Sequence, residues 1–129
     1  MATKNTQGYT PGVCNIGPDE RRMRRLSGIL GAAVTIALFT FFIVTSADWV
    51  WRLVLVFPAT MAALGFLQDR LHFCAGFGLK GIFNVMNSVG VTDNIELEAF
   101  RQQDRRMAIR IVLWSLAIGL AVTAVALLF

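Results

Sequence analysis

Leu26 to Ala47 forms a run of 22 consecutive residues without a charge, directly after Arg21, Arg22, Arg24 and Arg25. As an α-helix the run would reach roughly 33 Å at about 1.5 Å per residue, enough to cross the hydrocarbon core of a bilayer. Guanidiniums at the head of such a run mark where headgroups end and hydrocarbon begins. The chain around this run therefore reads as a small integral membrane protein. Its length and composition agree: 129 residues, 56% hydrophobic, with a mean hydropathy of +0.61, is too apolar for an ordinary soluble domain. A chain this small also buries too little surface for a large core with a substrate cleft, so lipid is expected to cover much of it.

The polar leader, the long apolar run and the poor cleavage site at Thr45-Ser46-Ala47 argue against a signal peptide, so the run is expected to stay as a span. Residues 1–17 read as a polar tail, extended through Met1 to Gly12. Pro18 opens a helix, with Asp19 and Glu20 in the first turn where the dipole favours carboxylates. A second span is expected from Trp49 to Leu67, kinked at Pro58. Trp49, Trp51 and Arg52 beside the turn read as an interfacial belt with a snorkelling charge. Residues 18–68 thus form a tight helical hairpin. Its small-residue pairs, Ser27/Gly31, Gly28/Ala32 and Ala59/Ala63, permit close helix approach.

Residues 69–92 are too glycine-rich for a span. Within them Leu79, Ile82, Phe83 and Met86 share one helical face, with Lys80, Asn84 and Asn87 opposite, which predicts a short amphipathic helix, interfacial in the headgroup plane or lying against a partner. Asp93 and Glu96 fit a capping box that opens a helix over 93–129. That helix leads into Ile111 to Phe129, 19 uncharged residues and a third span, with Trp114 as an interfacial anchor. Asp93, Glu96, Glu98 and Asp104 alternate with Arg101, Arg105 and Arg106, which predicts a solvated helix face. The expected fold is therefore an all-α integral membrane protein of three spans. In that topology 11 basic residues fall on one side and Arg52 alone on the other. The positive-inside rule puts the N-terminus and central loop in the cytoplasm and the C-terminus outside. Basic residues gathered at span ends also argue against nucleic-acid binding.

Asn15-x-Gly17-x-x-Glu20-Arg21-x-x-Arg24-x-x-x-Gly28 resembles the entry motif of a small bacterial inner-membrane family of unknown function. The two-helix unit of that family also forms the membrane tail of a membrane-bound rhodanese. The family's second helix ends in a Phe-Cys-Pro-x-Tyr stretch with a later glycine and isoleucine. Here Phe73, Cys74, Phe77, Gly81 and Ile82 stand at that spacing, with Ala75 for the proline and Phe77 for the tyrosine. The resemblance covers about residues 15–82 and leaves the third span outside. It implies a two-span hairpin with both motifs on the cytoplasmic face, in a bacterial inner membrane.

Several residues invite a chemical reading. Gly76-x-Gly78-x-x-Gly81 matches the letters of a dinucleotide fingerprint, but that motif works between a strand and a helix, and here it follows a span; a tight turn is the better reading. Cys14 and Cys74 are too few for a disulfide framework. As thiols near arginines they could carry sulfur, bind a metal or form a redox pair, or simply be small buried hydrophobes. Two Cys and one His are also too few for a closed zinc site, so no metal is expected. His72 could ligate one side of a haem or pigment, or lie at the interface as an amphipathic residue. No ionisable residue sits in the middle of a span, which argues against ion transport. Nor does the sequence show a nucleophile with its base and orienting partner.

The leading expectation is a non-enzymatic accessory or assembly subunit of a larger membrane complex, respiratory or photosynthetic, with no cofactor and with other membrane subunits as partners. A thiol or sulfur relay through Cys14 and Cys74 is the alternative, and a haem- or pigment-binding subunit through His72 the third.

Overall fold

The protein is a predominantly helical membrane protein with three helices long and apolar enough to span a bilayer. The computed structural model describes residues 9–84 and 92–129. Helix α1 runs over Pro18–Val44, α2 over Trp49–Arg52, α3 over Val56–Leu71, α4 over Ala75–Lys80 and α5 over Glu98–Leu128. α2 and α3 together make the second span, Trp49–Leu71.

α1 begins at Pro18 with Asp19 and Glu20 in its first turn, as the sequence predicts. It ends at a turn where Ser46 takes a left-handed conformation, and the chain reverses at once into α2. Pro58 has no N–H for the Val54 carbonyl, and the irregularity it imposes is a 3-10 turn at Leu53–Leu55 just upstream.

α3 is the central helix, with α1 along one side and α5 along another. Contact between α1 and α3 is close because glycine permits it. A Cβ on Gly31 would lie 2.8 Å from the Ala62 nitrogen, and one on Gly65 would lie 2.6 Å from the Arg24 carbonyl. Gly28 and Ala59/Ala63 are also buried, whereas Ser27 and Ala32 are only half-buried. On the other side, Thr60 packs directly onto Gly119 of α5.

The ends differ in chemistry. At one end Trp49 and Trp51 are exposed, as an aromatic belt requires. Arg52 does not snorkel freely there. Its guanidinium donates to the Ala47 carbonyl (3.2 Å) and to the Ala126 carbonyl (2.9 Å), so a cation meets the negative end of α5. At the opposite, basic end, Trp114 is exposed on α5 as expected.

Three expectations for the basic end are corrected. The short helix is α4, Ala75–Lys80, and it packs against α5 rather than presenting the predicted face. Gly81 ends it in the left-handed region (φ +74°), and Ile82–Phe83 then pair antiparallel with Asp93–Asn94. Phe83 and Asn84 are accordingly buried; Met86 and Asn87 lie outside the described residues. Asp93 is in that pair and is not an N-cap; α5 starts five residues later, with Leu97 at its N-cap. Burying Phe83 and Ile95 beneath Tyr9 and Phe100 outweighs one capping bond. Finally, Asp104 is not on a solvated face: it is wholly buried, while Arg105 and Arg106 beside it are exposed.

Candidate functional site

The two motifs meet at the basic end. Asn15 lies just before α1 and Cys74 just before α4, far apart in sequence. The Asn15 carboxamide binds the Cys74 peptide from both sides: Oδ1 accepts from the Cys74 N–H (2.7 Å) and Nδ2 donates to the Cys74 carbonyl (3.1 Å). The Asn15 backbone does the same for its neighbours, donating to the His72 carbonyl (3.1 Å) and accepting from the Asn84 N–H (2.9 Å). The N–H of Gly17 then donates to the Asn84 carbonyl (2.8 Å). One fully buried asparagine thus ties together the start of α1, the end of α3 and the strand after α4.

Below this clamp lies a buried charged cluster. Glu20, 2% exposed, accepts from Asn84 Nδ2 (3.0 Å) and pairs with Arg24 Nη2 (3.2 Å) one turn along α1. The same guanidinium nitrogen lies 3.1 Å from Cys74 Sγ, and the Arg24 guanidinium sits 5.6 Å from the Phe77 ring centroid. Arg21 reaches across to Asp69, with Nε 3.1 Å from its carbonyl and 3.2 Å from Oδ1. The residues from Asn15 to Gly28 therefore divide their labour: Glu20, Arg21 and Arg24 bind, and Gly28 admits α3.

The second motif is equally specific in its parts. Phe73 is completely buried with Ala75, Ala108 and Ile111. Gly78 lets α4 lie on α5, since a Cβ there would be 2.9 Å from the Asp104 carbonyl. Gly81 both ends α4 and receives the Arg101 side chain. Gly76, Gly78 and Gly81 follow a helix and not a strand, so they serve turn and packing.

Both thiols are free. They point to different surroundings: Cys14 Sγ lies 3.5 Å from the Ile16 carbonyl beside Phe83 and Ile95, while Cys74 Sγ faces Arg24. Burial raises the pKa of the Cys14 thiol, against smaller opposing effects from the Ile16 carbonyl bond and Arg21. His72 is exposed and caps α3 in a left-handed conformation (φ +56°), a region in which histidine is enriched; its carbonyl serves the clamp.

Four contributing residues have no signature in the motifs. Gln68, one residue past the second span expected from the sequence, accepts from the Ala75 N–H through Oε1 (2.8 Å) and from the Phe73 N–H through its carbonyl (3.0 Å). Asn84 completes the Glu20 cluster. Tyr9 and Asp104 form a separate latch, ahead of the apolar stretch of α5. Asp104 accepts from the Tyr9 hydroxyl (2.8 Å) and from the Gly12 N–H (2.6 Å), while Tyr9 stacks on Phe83 at 4.6 Å. Burial raises the Asp104 carboxyl above its ordinary range, although both of these bonds oppose it. The Tyr9 hydroxyl is raised too, by burial first and then by its bond to Asp104. The only available signal was a lone acid among arginines, which is shared by many exposed helices.

No family model matches the chain, and neither a curated protein nor a solved structure matches it.

Proposed function

We propose that the chain is a non-catalytic accessory or assembly subunit of a larger membrane complex, respiratory or photosynthetic in kind. One observation carries this reading. The polar residues of both motifs are spent on holding the chain's own backbone and on each other, so the most chemical-looking part of the sequence acts as a structural clamp. What remains for other molecules is the outer surface of the spans, rich in exposed large apolar side chains. The excess of basic residues at the clamp end supports placing that end in the cytoplasm of a bacterial inner membrane. The resemblance of the spacing from Asn15 to Gly28 to that of the rhodanese-tail family points to the same setting.

Purification in mild detergent followed by mass spectrometry tests the assembly reading. Stoichiometric co-purification of other membrane subunits is expected; a chain that emerges alone or as a simple homodimer would sink it. Orientation is tested separately by a C-terminal alkaline phosphatase fusion, expected to be active.

The contact between Arg24 and Cys74 Sγ favours a second reading, a thiol or sulfur relay. It requires that the Cys14→Ser/Cys74→Ser double variant lose a sulfur- or redox-dependent phenotype. Wild-type behaviour of that variant removes it.

A further inference from the structure

α1 and α5 each pack along α3, and between them a groove of about 420 Å³ opens sideways within the apolar part of the bundle. Its floor is small, with Ala59 and Ala63 of α3; its walls are Ala32 and Ile36 of α1 and Ile118 and Val122 of α5. Towards the Arg52 end it closes where Phe39 meets Phe129, with ring centroids 5.9 Å apart. Towards the basic end it does not meet the clamp. It runs out at Phe66, beneath two arginines.

The helical register selects those two. Arg25 stands seven residues before Ala32 and eleven before Ile36, so it lies on the groove line of α1. Arg70 stands four residues after Phe66, seven after Ala63 and eleven after Ala59, on the groove line of α3. The packing of the two helices brings them to the same end of the bundle. Gly65 lies against the Arg24 carbonyl and Arg21 bonds Asp69, so in this antiparallel register Arg25 and Arg70 stand about one to two helical turns apart along the axis, within joint reach of two long side chains. Arg21 and Arg24 are committed to Asp69 and to Glu20 and Cys74, whereas Arg25 and Arg70 are exposed and form no ion pair among the described residues.

We infer that this groove is a binding site for one anionic phospholipid, with its phosphate held by Arg25 and Arg70 and one acyl chain lying in the groove. Charge complementarity identifies the occupant. A partner helix would fill the apolar groove equally well, but it would leave two guanidiniums at the mouth without an anion. A phospholipid of the same leaflet supplies both parts at the required spacing: a phosphate at the interface and a flexible chain below it. The volume lies in the range of sites for single small ligands. A basic recess between spans at the membrane surface is also the kind of place where anionic headgroups bind selectively.

The test is native mass spectrometry of the full chain in detergent with equal amounts of phosphatidylglycerol and phosphatidylcholine carrying the same chains. One bound phosphatidylglycerol is expected, with a preference of roughly tenfold from two interfacial arginines. The Arg25→Gln/Arg70→Gln variant should bring the preference close to one. Arg105→Gln/Arg106→Gln, which removes the same charge from exposed positions on α5, should leave it intact. Ala32→Leu, which narrows the groove without touching a charge, should lower retention of phosphatidylglycerol. Glycerol phosphate should not compete, because it has no chain. Equal retention of both lipids by the wild type overturns the inference, as does an Arg25→Gln/Arg70→Gln variant that keeps the preference. So does an Arg105→Gln/Arg106→Gln variant that loses as much, or displacement by glycerol phosphate.

Discussion

In the seam between α1 and α3, Gly31 comes within backbone contact of Ala62 and the fit is purely one of shape. Further along the same helix pair, before α1 begins, Asn15 holds the Cys74 peptide by two directed hydrogen bonds at 2.7 and 3.1 Å. The two regions fasten the same hairpin with opposite chemistry. Lipid offers no hydrophobic drive for helices to associate, so inside the bilayer close packing must supply the attraction. At the basic end, water competes for every polar group, and a bond gains value only by being buried and complete. The seam therefore demands the absence of a side chain at Gly31 and Gly65, while the clamp specifies one side chain.

That contrast can be broken by experiment. The largest loss is expected for Asn15→Leu, which strands the Cys74 N–H and carbonyl in a buried site; about 2–5 kcal/mol follows from two unsatisfied groups. Unfolding in mixed detergent micelles, followed by helical circular dichroism, measures it. Gly31→Val overpacks the seam and should cost about 1–3 kcal/mol in the same assay, with Gly31→Ala at the low end. If Gly31→Val proves the more damaging of the two, the seam and not the clamp governs the hairpin.

Asp104→Asn gives a smaller effect with a distinctive pH dependence. Because burial raises the folded-state pKa of Asp104, its favourable contribution is fully present below the ordinary carboxyl value of 3.8 and is lost as pH rises through the raised value. The wild-type melting temperature should fall across that window, and the Asp104→Asn variant, which has no proton to lose, should show a flatter profile. A profile identical to the wild type would show that the latch with Tyr9 and Gly12 compensates the burial completely. The smallest change is expected for Ser115→Ala. The Ser115 hydroxyl on α5 is buried without a hydrogen-bond partner among the described residues, so its removal should leave stability within about 0.5 kcal/mol or raise it slightly. A loss beyond about 1 kcal/mol would mean that this hydroxyl has a partner within the bundle.

Much of the architecture is written locally. Leu26 to Ala47 and Ile111 to Phe129 are legible as spans because an uncharged run of that length has no stable place outside a bilayer. Pro18 with Asp19 and Glu20 fixes the start of α1 for equally local reasons. The spacing of Asn15, Gly17, Glu20, Arg21, Arg24 and Gly28 marks these residues as a unit, and the structure brings that unit to Cys74. Where local and distant terms compete, letters mislead. Asp93 and Glu96 spell a capping box, yet the burial of Phe83 and Ile95 draws Asp93 into an extended pair.

By itself, then, the sequence determined that the chain carries three membrane-spanning helices, where the first of them starts, and which short stretches are special. These depend on transfer of residues from water to lipid and on helix-end geometry, both local quantities. Only the tertiary structure decided what the special residues do. It buried Asp104 beneath Tyr9, set Gln68 and Asn84 into the clamp, and left Arg25 and Arg70 exposed while Arg21 and Arg24 were engaged. Those outcomes depend on which helix faces meet. Four arginines alike in the sequence part company because α3 covers one side of α1 and leaves the other open.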